Sequence, residues 1–208
     1  VLDKFSMTYC DGGVSRRSAC PSGFTLLEVV LALAVSLILV CLSVMGYTRV
    51  IEAAAVESAG SLVSDALTEA RQDAVTQNNT VEVRFYAAPS GTAFDALQLR
   101  WHNTDGTTPA VAAALLLPTA AVIDATPVHS SLVTTNTQTP AVDATDPRLN
   151  NLTRCFHFLP DGSTDLAATG QWMVTIRAAA QSDPAHFPAN WACVTVDPQT
   201  GRMQVYRP

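Results

Sequence analysis

Glu28 is a carboxylate near the start of an apolar run that opens at Gly23-Phe24-Thr25-Leu26-Leu27-Glu28 and continues to about Tyr47. An acid there is costly unless it meets a cation, so by default it marks a function. The chemistry on offer is ion pairing. A carboxylate and an ammonium each cost several kcal/mol in lipid and far less as a pair. The alternative is an acid at a membrane edge with no partner.

Other chemistries find less support. The four histidines, His102, His129, His157 and His186, are scattered, with no Cys or His pair at metal-ligand spacing. The chain has no glycine-rich phosphate loop and no Gly-x-Ser-x-Gly elbow. It therefore reads as a non-enzyme with no metal and no cofactor. Asp143, Asp146, Asp161, Asp165 and Asp183 match no calcium loop in their spacing and read as solvated turn residues. Of the five cysteines, Cys10 and Cys20 precede the apolar run, Cys41 lies in it, and Cys155 and Cys193 follow it. The last two are candidates for a bridge, which would add about 4 kcal/mol in the chain-entropy model. Two buried thiols in strands is the alternative.

Long elements must position these groups. Val29 to Thr48 carries no charge, and twenty helical residues span roughly 30 Å, the thickness of a hydrocarbon core. Beyond Val50, Ile51, Ala54, Ala55, Ala59, Leu62, Val63, Ala66, Leu67, Ala70 and Ala74 recur at spacings of three and four. They make one apolar stripe. Gln77-Asn78-Asn79 gives the stop. After Asn79 the period becomes two: Val81, Val83 and Phe85 alternate with Glu82, Arg84 and Tyr86, as in a half-buried strand. Leu97 to Trp101, Ala112 to Leu117, Ala121 to Ile123, Cys155 to Leu159, Trp172 to Ile176, Trp191 to Val196 and Arg202 to Tyr206 are further strand candidates. Thr134 to Asn151 and Ala178 to Asn190 read as loops, the first of them long.

At 208 residues, 48% apolar and 14% charged, the chain can supply a membrane segment and one small domain of roughly 150 residues. The first 23 residues are polar and aperiodic and read as a leader that is removed. Removing them takes away three bases and two acids, so the net charge moves from −6 to −7. That balance argues against general affinity for nucleic acid. Arg16 and Arg17 against Arg49 place the amino-terminal flank in the cytoplasm and send the carboxy-terminal domain outward.

The segment GFTLLEVVLALAVSL resembles the processing and assembly signal of type IV pilins and type II secretion pseudopilins. The resemblance implies cleavage after Gly23 by a prepilin peptidase and methylation of the new amino-terminal Phe24. It implies that Glu28 neutralises the free amino terminus of a neighbouring subunit. Ala70-Arg71-Gln72-Asp73-Ala74-Val75, Phe158-Leu159-Pro160-Asp161-Gly162-Ser163 and Thr200-Gly201-Arg202 are similar to segments of GspH/FimT-type minor pilins, while 86–154 has no counterpart.

The implied fold is α+β and pilin-like, a long N-terminal transmembrane and amphipathic helix packed on a C-terminal antiparallel β-sheet head. Its parts are a leader (1–23), a transmembrane helix (24–47), an amphipathic helix (48–79) and a β-rich head (80–208). The implied function is a minor pilin or pseudopilin, a structural subunit of a type II secretion pseudopilus or type IV pilus. Its partners would be other pilin-like subunits, the prepilin peptidase and an inner-membrane assembly platform. It would sit in a bacterial inner membrane as a single-pass protein with a periplasmic head, at or near a filament tip. The alternative is a ligand-binding or FimT-like DNA-uptake pilin displayed on a filament, with Arg202 and Arg207 as the DNA contacts.

Overall fold

The computed structural model describes residues 25–89, 91–136, 138, 153–181 and 189–208. The chain divides into two compact units, Val1–Val44 and Met45–Pro208. One helix, α1, runs from Leu26 to Thr76.

In the first unit α1 is apolar on every side and exposed throughout its described side chains, Leu26 and Leu27 among them. It contains a window long and apolar enough to cross a bilayer, none of it buried by the protein. Its hydroxyls are satisfied within the helix: Ser36 donates to the Ala32 carbonyl and Ser43 to the Leu39 carbonyl, each at 2.7 Å. That suits a solvent that offers no hydrogen bonds.

In the second unit α1 turns a narrow stripe to the head. Val56, Ala59, Gly60, Val63, Ala66, Leu67, Ala70 and Ala74 are buried at helical spacing. The stripe is mostly small residues, so the helix backbone comes close to the sheet. A Cβ added at Gly60 would stand 2.8 Å from that of Ala192. Ile51 and Ala54, expected on the stripe, are exposed, and the buried face begins at Val56 instead. The helix closes with a Schellman cap. Asn78 takes a left-handed φ of 47°, and the Asn79 amide donates to the Ala74 carbonyl at 3.2 Å. Asparagine tolerates that conformation better than other residues with a Cβ.

The head is a single antiparallel sheet built from β1 (Thr80–Ala87), β2 (Ala93–His102), β3 (Leu115–Leu116), β4 (Ala121–Asp124), β5 (Thr153–Phe158), β6 (Trp172–Ala178), β7 (Trp191–Val196) and β8 (Met203–Tyr206). The order is β5-β1-β2-β4-β6-β7-β8, with β3 paired to β2, and a short α2 at Ser131–Thr134. Every second residue points to α1, as period two requires. Val81, Val83, Phe85, Leu97, Leu99, Ile123, Phe156, Phe158, Val174, Ile176 and Val194 share one core with the buried stripe of the helix. Phe156 stacks edge-on against Phe158, with centroids 5.2 Å apart.

Two expectations change. The apolar run from Ala112 to Leu117 contributes only the two residues of β3, while Ala121 to Ile123 forms β4 as expected. The alternation in β1 does not leave Glu82, Arg84 and Tyr86 half-exposed. All three are buried, shielded by polar side chains of β2 and β5 on the same face. Most of the loop expected at Thr134 to Asn151, and the 182–188 part of the loop from Ala178 to Asn190, lie outside the described residues.

Candidate functional site

Gly23 and Phe24 lie outside the described residues. Glu28 lies within them, three residues into α1. Thr25 caps the helix: its Oγ1 accepts the Glu28 amide at 3.2 Å, and its carbonyl accepts the same amide at 3.0 Å. Thr-x-x-Glu is the capping-box spacing, and a carboxylate in the first turn also meets the positive end of the helix dipole. Glu28 therefore stands at the capping position of its own helix. The sequence signal for it was Thr25.

In the head, three stretches that each read as ordinary meet at one point. The Arg71 side chain projects from α1, and its Nε donates to the Gly162 carbonyl at 3.2 Å and to the Thr200 carbonyl at 3.0 Å. Both acceptors sit in turns that need glycine: φ is 82° at Gly162 and 61° at Gly201. Asp161 accepts from the Ser163 amide at 2.9 Å in the first turn, and Asp197 from the Gln199 and Thr200 amides in the second. Thr164 ties the two together, donating from its amide at 2.9 Å and from its hydroxyl at 3.0 Å to the Pro198 carbonyl. The resemblance carried by Arg71, Pro160-Asp161-Gly162 and Thr200-Gly201-Arg202 is thus one brace between the helix and two turns.

On the sheet face turned away from α1, β1 is flanked by β5 and β2, and polar groups line up across the three strands. Glu82 is opposite His157 and Arg100, and Arg84 is opposite Cys155 and Gln98. Arg84 holds Glu82 through Nε at 2.7 Å and Nη2 at 3.1 Å. Tyr86 donates to Gln98 Oε1 at 2.9 Å. His157 Nδ1 lies 2.7 Å from Asp165 Oδ2, and the His157 amide donates to Asp165 Oδ1 at 2.8 Å. Burial raises the Asp165 carboxyl, but the hydrogen bonds from His157 outweigh it and hold the group below the usual range. The His102 and His157 rings meet edge-on, 5.0 Å between centroids.

A second buried ionic group sits beyond β4. Asp124 meets His129 Nδ1 at 2.8 Å, Thr126 Oγ1 at 2.8 Å and Arg177 Nε at 3.7 Å. Among the described histidines, His129 is thus committed to the core.

Cys155 and Cys193 do not pair. They sit in β5 and β7 with four strands between them, and both are free buried thiols. Burial pushes the Cys155 thiol up to about 12, with the Glu82 carboxylate adding to the effect, so it is an inert thiol. The bridge fails because the sheet order separates the two strands. Of the two carboxy-terminal arginines, Arg207 pairs with Glu57 of α1 at 2.7 Å and donates to Ser61 Oγ at 3.2 Å. Arg202 is exposed beside Asp197. Asp161 and Asp165 serve a turn and His157, while Asp143, Asp146, Asp183 and His186 lie outside the described residues.

No protein-family model matches the chain, and no curated protein matches it. A long amino-terminal helix followed by an antiparallel sheet is the α+β arrangement expected from the sequence. Among solved structures the chain is similar to the minor pseudopilin EpsH from the type 2 secretion system of Vibrio cholerae. The identity is 11%, the match covers 74% of this chain and 97% of that one, and the TM-score is 0.45.

Proposed function

We propose that this chain is a minor pilin or pseudopilin, a structural subunit that enters a filament through its amino-terminal helix. The observation that carries this reading is the bare first part of α1. Its described side chains from Leu26 to Ser43 are all exposed and mostly apolar, and the one ionisable carboxylate, Glu28, stands in the first turn. Such a surface needs lipid before assembly and other apolar helices after it. The sequence Gly23-Phe24 just ahead of it supports processing by a prepilin peptidase and methylation of Phe24.

In this reading the precursor spans the inner membrane once, with its head in the periplasm, and an assembly platform passes it to a filament tip. Cleavage after Gly23 frees an ammonium four residues before Glu28. The carboxylate of one subunit then neutralises the amino terminus of the next, which sets axial register. Mass spectrometry of the protein from native membranes tests the first step, and an N-methylated Phe24 is expected. An intact leader, or a cut elsewhere, reduces the chain to an anchored domain.

The second step has a sharper test, because glutamine serves a capping box as well as glutamate does. Glu28→Gln keeps the cap and removes the charge. It is expected to abolish incorporation into filaments while leaving the membrane level of the subunit unchanged. Wild-type incorporation of Glu28→Gln would remove charge pairing from the mechanism.

A further inference from the structure

The face of β1, β2 and β5 turned away from the helix gathers a donor set that the pilin reading does not use. One ligand atom each from Glu82, His102 and His157 lies within 4.8 Å of the others. The three belong to three adjacent strands, and Glu82 and His157 are direct cross-strand partners. The set runs from a buried carboxylate to an exposed imidazole, so an ion could enter from the His102 side.

We propose that Glu82, His102 and His157 bind a divalent transition-metal ion, zinc in the first instance, and that Asp165 positions His157 for it. Two imidazole nitrogens and one carboxylate oxygen form a three-ligand zinc set that leaves a position for water. Calcium and magnesium would call for more oxygen ligands than this cluster offers. The second observation is the Asp165 contact. With Nδ1 of His157 donating to Asp165 Oδ2 at 2.7 Å, its lone pair is left on Nε2. A carboxylate behind a histidine is the usual support of a metal-bound imidazole, fixing tautomer and orientation.

Glu82 is already held by Arg84 through both oxygens. A carboxylate has about four lone-pair sites, so one oxygen can take an ion while the guanidinium stays. Glu82 and Asp165 against Arg84 and Arg100 leave this face without net charge, so the donor set rather than the field would select the ion. Tetrahedral coordination at about 2.0–2.2 Å places ligand atoms roughly 3.4 Å apart. Closing onto the ion therefore needs about an ångström of side-chain movement, available to His102 because it is exposed. The bound ion would staple β5 to β1 and β2.

The test uses the full chain in detergent, stripped with a chelator and titrated with zinc chloride by calorimetry and cobalt chloride by absorption. One equivalent is expected, with a cobalt spectrum free of thiolate charge-transfer and a raised unfolding midpoint with zinc. His102→Ala, at an exposed site, should keep the metal-free midpoint and lose more than about 100-fold in affinity, beyond the usual second-shell range. Asp165→Asn should lose roughly 10–100-fold with stoichiometry unchanged. Zinc affinity that is absent in the wild type, or equal in His102→Ala, overturns the proposal. So does a single equivalent with a thiolate spectrum, which assigns the ion to cysteines such as Cys10 and Cys20.

Discussion

Gly201→Ala is expected to destabilise the head by about 4 kcal/mol, from a backbone penalty of about 1–2 and a steric one of about 1–3. The left-handed φ of 61° strains any residue with a Cβ. The added carbon would also overlap the carbonyl oxygen of Gly162 and approach Arg71 Nε at 3.1 Å. Relief requires the two turns to separate, and their separation breaks the Arg71 hydrogen bonds to both. A loss of that size is exceptional for one methyl group and is a large part of a typical domain's stability. Gly106→Ala supplies the control. Gly106 has a comparable φ of 83°, but nothing lies within 4 Å of its added Cβ, so it should cost about 1–2 kcal/mol. Denaturant unfolding of both variants reads the difference. Equal losses would mean that the turns do not touch and that the brace is not what holds them.

Asp124→Asn is expected to cost about 3 kcal/mol near neutral pH, at the lower end of the range for breaking a buried ion pair. The substitution keeps the shape and removes the charge that faces Arg177 and His129, both buried. Arg177 retains the Ala178 and Gln181 carbonyls but loses its carboxylate. The loss also has a pH signature. Burial raises the Asp124 carboxyl, while hydrogen bonds from His129 and Thr126 and the charge of Arg177 bring it net below its ordinary value. A depressed folded value stabilises above the unfolded one, near pH 4, and that stability is lost as pH falls through the folded value. The gap between wild type and Asp124→Asn should therefore narrow below about pH 4. A gap that stays constant down to pH 2 would show that shape, not charge, carries the effect.

Much of the helix and of the core face of the sheet was legible in the sequence. Ala59, Val63, Ala66, Leu67, Ala70 and Ala74 stand at helical spacing and are buried. Val81, Val83 and Phe85 alternate and face the core. The errors fall where the answer depends on which strand lies beside which. Ile51 and Ala54 fit the stripe as well as Val56 does, and only the position of the head decides among them. Glu82 and Arg84 were expected on the outer face of a half-buried strand, yet β5 and β2 shield them. The histidines looked scattered because His102 and His157 are 55 positions apart, and only the pairing of β1 with both β2 and β5 joins them. The Cys155–Cys193 bridge failed for the converse reason: their strands, β5 and β7, have four others between them in the sheet.

The brace at Arg71 also fixes an order of events. Arg71 precedes its acceptors by 91 and 129 positions, and Glu57 precedes Arg207 by 150. At common synthesis rates the ribosome needs roughly ten seconds to cover 129 residues. For that interval the stripe from Val56 to Ala74 exists without the last hairpin, and contacts this distant in sequence close slowly. The carboxy-terminal turn is therefore the latch of the head. A chain stopped just short of Thr200 would hold β1 to β7 on the apolar stripe of the helix but keep only one of the two Arg71 hydrogen bonds and none of the Arg207 contacts, so its packing stays unfinished.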